Sequence, residues 1–590
     1  MLAQDLQSAF ALYQQRRFAA AETACRALVT RHPDAADAWR LLGMVLSADG
    51  KQAEARSALR RSLALAPGHV EALNSLGIAA GRAGDSREAE TAYRDALSAR
   101  ADYAPARRNL AGLLVSSGRA REALGVLDGV SGPDFDRLRG EAHARLNEPE
   151  AALVAFQRAA GQRPGDVRAF IGSAGALTEL GRFEAALGVL DGVEGAEADI
   201  ARAKAWLGAG QADNAIGILS AVLAAAPARA DALFLMAQCL WMSGRGSEIR
   251  PWFEAARRSA PDRSDLLRLY ARTLKQMDEA DAALDVLKAL PSPGPADHSE
   301  RADVLIEAGR AGPALEAAQI AVESDPDDPA AQAAHARAAL MNGQARTALE
   351  AAQRMRARYP HDQFWVAIEA EALRQTDPAR WRQLYDPDRL ARPFDLPTPD
   401  GFESLEAFNQ ALAVSLRRLH AFKVHPLDQS LRSGVQTGVD LRRVGDPVID
   451  AFFRSAQSVV EDYVAAMPED DAHPLFAYRS EASEIVSAWS VLLGPGGRHV
   501  SHVHPEGWIS SAYYVETPGD LESSRDQEGW LVLGEPPFKV PGAEPTRLVP
   551  AKPGRLVLFP SFLWHGTRPI RSGERLSIAF DILPRARAAS

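Results

Sequence analysis

Cysteine is nearly missing from this chain, with two residues, Cys25 and Cys239, among 590. They lie far apart, so neither a disulfide scaffold nor a cysteine-held zinc can organise the fold, and a reducing, cytoplasmic setting is expected. Both fall on apolar helical faces, where cysteine acts as a small core filler. An excess of basic charge is also lacking: 67 lysines and arginines stand against 77 acids, for a net charge of −10. That balance, with a pI near 5.8, argues against an electrostatic nucleic-acid binder. No apolar run approaches the length of a bilayer span, so no membrane partner is expected. The opening MLAQDLQSAFALYQQ has no basic stretch leading into an apolar one, and no signal peptide is expected there. What is present is an ordinary soluble composition, 46% apolar and 24% charged. Its length exceeds what one core supports, so at least two domains are expected.

From residue 1 to about 375 the chain repeats itself. Glycines 50, 84, 118, 181, 210, 244, 309 and 343 sit in short turns between helical patterns, several of them 34 residues apart, with weaker turns near Asn147 and Met277. Trp39, Leu42 and Gly43 precede Gly50, and Ala55, Leu59, Leu63 and Pro67 follow it; Leu73, Leu76, Gly77, Ala89, Tyr93 and Ala96 repeat the pattern. This is the grammar of a helical hairpin: small residues let the helices approach, glycine ends the first, and proline introduces the next unit. These residues resemble the tetratricopeptide repeat, and about ten or eleven units fit. The resemblance implies an all-α solenoid over 1–375 whose groove binds a protein or peptide partner. The arginine and alanine richness reads as helix propensity and solvated faces. The histidines at 32, 69, 143, 298, 335 and 361 are single and read as surface or packing residues.

The period fails after about Thr376, and prolines 378, 387, 393, 397 and 399 mark 376–400 as a proline-rich linker. Over 401–590 helices are expected at about 404–422 and 446–466, then short strands at 487–493, 509–515, 530–533, 555–559 and 575–581. That is the signature of a β-sandwich or jelly roll with flanking helices, in a multidomain chain.

The chemistry gathers in two stretches, RHVSHVHPEGWISSAYYV (498–515) and GRLVLFPSFLWHGTRPIRSGERLSIAF (554–580). His502 and His504 are two apart, so in an extended strand both imidazoles reach one ion. His565 follows the strand 555–559 and can close the site, giving three nitrogen ligands with open positions, which suits iron or zinc. Of the 13 histidines, 7 lie in the last third of the chain, and this clustering is what favours ligation. His499 faces the other way if the strand is regular. Arg575, ten residues after His565, shares a strand face with Ser577, and fork and hydroxyl together suit a carboxylate. The competing reading pairs Arg575 with Glu574 or Asp581 in an ion pair.

The ensemble resembles the 2-oxoglutarate- and Fe(II)-dependent oxygenases, whose pattern is H-x-D/E, a distal H, and R-x-S about ten residues on. HPLDQSLRSGVQT, SAWSVLL, HVHPEGWISSAYYV and GRLVLFPSFLWHGT are similar to the oxygenase domain found behind bacterial tetratricopeptide repeats, and Gly496–Gly497 with the Y-Y-V run resemble the prolyl-hydroxylase-like branch. The resemblance implies a double-stranded β-helix, with His502 and His565 on iron and Arg575 and Ser577 gripping 2-oxoglutarate. O2 is then the second cosubstrate. Tyr513 and Tyr514 alternate faces, so one lines the pocket; Tyr513 is assigned to the cosubstrate. Where the family has its acid this chain has His504. Either His504 ligates directly or Glu506 completes an H-x-E pair; His504 is favoured because Pro505 ends the strand before Glu506. Gln429, Ser430, Gln436 and Thr437 either border the substrate or cap turns, and Trp489, Trp508, Trp530 and Trp564 read as core. Two functions follow: a dioxygenase acting on a protein or peptide recruited by the repeats, or a non-enzymatic adaptor with a silent C-terminal domain.

Overall fold

A computed structural model describes residues 2–585 apart from 291, 423, 428 and 481, so residues 586–590 of the expected second domain lie outside the described residues. The chain divides into two compact units. One comprises Met1–Leu177 and Ala185–Val193, the other Thr178–Glu184 and Glu194–Ser590. The later repeats therefore belong to the same unit as the strand-rich region.

The first unit is built of antiparallel helix pairs such as Ala36–Ala48 with Gln52–Leu65 and Val70–Arg82 with Ser86–Ala99. Gly50, Gly84 and Gly118 end the first helix of their pairs at φ 84°, 82° and 75°, the left-handed conformation that costs glycine least. Where the turn reads weakly, Asn147 takes the same conformation at φ 57°, and in the second unit Asp278 does so at φ 61°. Gly77 does a different job. A Cβ there would lie 2.4 Å from Cε1 of Tyr93, so its missing side chain is what lets the two helices of the pair close. The arginines are more ordered than a solvated face requires. Arg26 bonds Glu54, Arg60 bonds Glu88 and Arg119 bonds Glu90, partners 28 or 29 residues apart and one repeat away. Half-exposed pairs of this kind contribute roughly 0.2–1 kcal/mol each, so they tune register between repeats while the apolar faces hold them together.

In the second unit, prolines 378 and 387 open two short helices, Pro378–Tyr385 and Pro387–Leu390, capped by Asp377 and Asp386. Pro393 lies in β1 (Arg392–Asp395). A first helical turn and an edge strand are the positions where a missing N–H is tolerated, so the proline run is compatible with regular structure. The remaining strands are β2 (Leu431–Gln436), β3 (Ser483–His499), β4 (Ile509–Glu516), β5 (Leu531–Leu533), β6 (Arg547–Val549), β7 (Arg555–Pro560), β8 (His565–Thr567) and β9 (Arg575–Pro584). They form a six-stranded antiparallel sheet ordered β1-β7-β4-β9-β3-β2 and a three-stranded sheet ordered β6-β5-β8. Helices Leu405–Arg417 and Pro447–Ala465 cover one face of the large sheet, with Phe452 against Tyr513 and Phe580 at ring separations of 4.9 and 6.0 Å. The period of two then sends Arg575, Ser577, Ala579 and Asp581 of β9 to the opposite face. Directly across from them on β3 stand Leu493, Val491, Trp489 and Ser487.

The last repeat helix, Gln363–Thr376, is joined to this region. Gln363 N–H donates to Pro505 O at 2.9 Å, the Phe364 and Trp564 rings lie 6.3 Å apart, and Arg374 donates to Gly534 O and Glu544 O. Among the described residues no helix is long and apolar enough to cross a membrane. Two glycines of the helix Val70–Arg82 give a paired test of close packing. Gly77→Ala is expected to cost about 1–3 kcal/mol by overpacking against Tyr93. Gly81→Ala, whose Cβ would meet only Ala89 at 3.9 Å, should stabilise by about 0.5–1 kcal/mol through helix propensity; urea unfolding of the two variants checks the opposite signs.

Candidate functional site

The site begins with a backbone contact. His502 N–H donates to His565 O and His565 N–H donates to His502 O, both at 3.0 Å, an isolated antiparallel bridge between the segment after β3 and strand β8. Residues facing each other in such a bridge project to the same side, and the two rings stand 4.3 Å apart. Gly566 makes the approach possible: a Cβ there would meet His499 O at 2.8 Å and Ser501 N at 3.0 Å. His504 N–H donates to Ser561 O at 3.1 Å, which brings the third ring to 5.1 Å from His502 and 5.0 Å from His565. One ring nitrogen from each of the three lies within 4.8 Å of the others.

Their other nitrogens are already used. His502 Nδ1 is 3.0 Å from Val500 O, His565 Nδ1 is 2.9 Å from Leu563 O, and His504 Nδ1 is 2.6 Å from Asp581 Oδ1. A carbonyl or carboxylate oxygen only accepts, so in each ring Nδ1 carries a proton and Nε2 is the nitrogen left for a ligand. Burial, reinforced by the neighbouring histidines, lowers His502 to about 4 and holds His565 well below the usual imidazole range. Three imidazoles held in orientation through Nδ1 and converging on one point are what a metal cation needs, so the donor set fits.

Arg575, on the same face of β9 as Ser577, is buried. Its side chain is 2% exposed, and its only hydrogen bond among the described residues runs from Nη1 to Gly529 O at 2.8 Å. Its Nε has no partner there, and its guanidinium lies 5.5 Å from the centre of the Tyr514 ring. The expected ion pair with Glu574 or Asp581 does not form: Glu574 binds Arg417, and Asp581 faces His504. Burial lowers the guanidinium from its ordinary value, because a cation taken out of water without a counter-charge is unfavourable. An anion placed there would relieve both the open donors and the charge. Ser577 Oγ stands 3.5 Å from Val491 O and is otherwise open.

Two expectations change. Tyr513 is not beside Arg575; it is 0% exposed on the helix-covered face, where its hydroxyl donates to Asn409 Oδ1 at 2.6 Å. Tyr514 takes that place, with a buried hydroxyl that has no partner among the described residues. The register pairs Tyr514 with Ser577 across β4 and β9, and that parity cannot be read from two adjacent tyrosines. His499 does not face away: β3 ends at His499, so the chain from there to His502 is not a regular strand, and the two rings stack at 6.0 Å. Ser430 Oγ lies 3.3 Å from His499 Nδ1 and 3.5 Å from His502 Nε2, so Ser430 borders the cluster. Thr437 instead accepts Ser490 N–H at 3.0 Å and serves the sheet. Glu506 is exposed and outside the cluster. Trp508 and Trp530 donate to Leu475 O and Leu521 O, and Trp489 stands 5.7 Å from the His504 ring. Asp581 was missed. The alternation R-x-S-x-A-x-D in β9 was the available signal, since it sets Asp581 on the face of Arg575 and Ser577.

The chain thus carries a helical repeat array and a strand-rich region with a three-histidine cluster and a buried arginine that has no ion-pair partner among the described residues. Residues 487–581 match a family model described as "Putative 2OG-Fe(II) oxygenase". Residues 6–70 match one tetratricopeptide-repeat model, and 82–146, 143–207 and 206–248 match another. The chain therefore carries tetratricopeptide repeats in its N-terminal region and, at 487–581, a domain of that 2OG-Fe(II) oxygenase family. The family implies Fe(II) and 2-oxoglutarate, and tetratricopeptide repeats usually mediate protein–protein interaction. Among solved structures, a thermophilic tetratricopeptide repeat protein of Thermus thermophilus is 19% identical, with 30% of this chain and 99% of that one covered and a TM-score of 0.27. One from Parabacteroides merdae is 13% identical, covering 40% and 98%, with a TM-score of 0.35. PilF of Pseudomonas aeruginosa is 19% identical, covering 34% and 96%, with a TM-score of 0.30. The curated proteins contain no match to the chain.

The two tyrosines are separable by experiment. Tyr513→Phe leaves Asn409 Oδ1 buried without its donor and should cost about 1–3 kcal/mol in urea unfolding. Tyr514→Phe, which removes a hydroxyl without a partner, should change stability by less than about 0.5 kcal/mol.

Proposed function

We propose that the C-terminal region is a double-stranded β-helix (jelly-roll) dioxygenase dependent on Fe(II) and 2-oxoglutarate, hydroxylating a protein or peptide that the repeat array recruits. One observation carries this reading: within the family segment, three imidazoles with Nδ1 engaged converge on one point, and β9, which brings Asp581 to His504, carries on the same face a buried guanidinium without a counter-ion among the described residues. His502, His504 and His565 would hold the metal through Nε2 and leave further positions open. Glu506, exposed and apart, is the weaker alternative for the third ligand. Arg575 would take the far carboxylate of 2-oxoglutarate, with Ser577 and Tyr514 offering hydroxyls beside it.

Iron and 2-oxoglutarate, when bound, supply the activation of O2: one oxygen atom enters a substrate C–H bond and the other enters succinate as CO2 leaves. The chain's own part is positioning. The Val500, Leu563 and Asp581 oxygens fix the three rings, Arg575 anchors the cosubstrate by its unreacting end, and Phe559, 4.8 Å from His565, with Trp489 supplies an apolar wall. Delivery of substrate by the repeats is supported by the contact of the last repeat helix with Pro505, next to His504. His504 in place of an acid is the observation that favours the second reading, a silent domain in a repeat adaptor.

Anaerobic titration of the full chain with Fe(II) and 2-oxoglutarate separates the two. A visible charge-transfer band is expected, lost in His565→Ala and His504→Ala. In Arg575→Ala the 2-oxoglutarate affinity should fall about 10- to 100-fold, the loss of charged hydrogen bonds worth roughly 1.5–3 kcal/mol. Glu506→Ala should change iron affinity by less than about threefold. No band with the unmodified protein, and no succinate in air, would leave the adaptor reading standing; loss of iron in Glu506→Ala alone would exchange the third ligand.

A further inference from the structure

A dication held by three neutral imidazoles carries one more unit of positive charge than one held by two imidazoles and a carboxylate. In this cluster a carboxylate is present, but one hydrogen bond further out. Asp581 Oδ1 accepts from His504 Nδ1 at 2.6 Å and from Ser510 Oγ at 2.8 Å, while Ser487 Oγ reaches Oδ2 at 3.4 Å. Ser487 and Ser510 are the residues directly opposite Asp581 on β3 and β4, so strand register itself holds the carboxylate in place. Ser510 Oγ is also 2.9 Å from Ser561 Oγ, and the Ser561 carbonyl receives the backbone N–H of His504. Among the described residues no lysine or arginine pairs with Asp581; its side-chain partners are His504, Ser510 and Ser487.

The three histidines are not equivalent in this respect. His502 and His565 present Nδ1 to main-chain carbonyls, and only His504 presents it to a carboxylate. His504 is also the residue that stands where the oxygenase pattern has its acid. We propose that Asp581 is a positioning residue that delivers through His504 the negative charge an acid ligand would place directly on the metal. A ring whose Nδ1–H is held by a carboxylate is fixed in orientation and is a stronger donor at Nε2. Charge complementarity is thereby kept while the ligand atoms themselves become all nitrogen. The inference rests on the metal-site reading above.

It is tested with Co(II) alone, titrated anaerobically into the full chain and followed by its ligand-field absorption, so that no turnover is needed. Asp581→Asn keeps the shape and an acceptor oxygen but removes the charge; it should weaken Co(II) binding about 10- to 100-fold and shift the absorption, with the thermal midpoint held. The second arm uses His504→Asp, which restores an acid ligand. There Asp581 becomes a like charge facing it, so adding Asp581→Asn should strengthen Co(II) binding. Ser510→Ala, which loosens the carboxylate without removing it, should weaken binding about fivefold, the worth of roughly one hydrogen bond, and serves if Asp581→Asn unfolds. Unchanged affinity in Asp581→Asn, or the same loss in both backgrounds, makes Asp581 a structural residue and overturns the proposal. Failure of the unmodified protein to take up Co(II) overturns the metal centre itself, a result visible before any Asp581 variant is compared.

Discussion

The two-way backbone bridge between His502 and His565 is the constraint on which the site depends. Neither residue lies in the large sheet: one follows the end of β3, the other opens β8 in the small sheet. Two 3.0 Å hydrogen bonds lock them face to face, and the bare Gly566 is what allows that approach. Outside the regular strands, the bond from His504 N–H to Ser561 O places the third ring. His504 follows two residues after His502, and β9 passes close enough for Asp581 to reach it. Because each Nδ1 is bonded to an oxygen, ring orientation and tautomer are set by the protein before any ion arrives.

The contrast between the two ends of β9 is instructive. At Asp581 a carboxylate is held by serines and a histidine; at Arg575, six residues away on the same face, a guanidinium is buried with its charge unanswered. A strand whose inner face ends in opposite charges, neither paired with the other, orients a field along β9. That arrangement is unfavourable for folding alone and makes sense as a place built around a ligand.

Much of this was legible in the sequence, for reasons that can be named. The repeats show because glycine turns and small residues recur at a fixed period, and the structure uses them for positive φ and close helix approach. The histidine and arginine stretches show because rare residue types cluster at strand spacing. What stayed hidden depends on register. Tyr513 and Tyr514 differ only in parity, and parity is decided by which β9 residue stands opposite. His499 escapes the alternation because β3 ends there and does not continue as a regular strand through His502. The proline run at 376–400 conceals Asp377–Pro378 and Asp386–Pro387, each a helix cap followed by a first-turn proline. This signature of a helix start is local enough to have been read, though the pairing of β1 with β7 is not.

The unpaired guanidinium of Arg575 has a consequence beyond recruitment. On the proposed reaction, the end of the cosubstrate that Arg575 holds is the end that does not change: the far carboxylate of 2-oxoglutarate persists in succinate. The grip therefore cannot tell the spent molecule from the fresh one. Discrimination would fall to the opposite end, where the 2-oxo acid has become a plain carboxylate, and succinate would compete with 2-oxoglutarate for the same guanidinium.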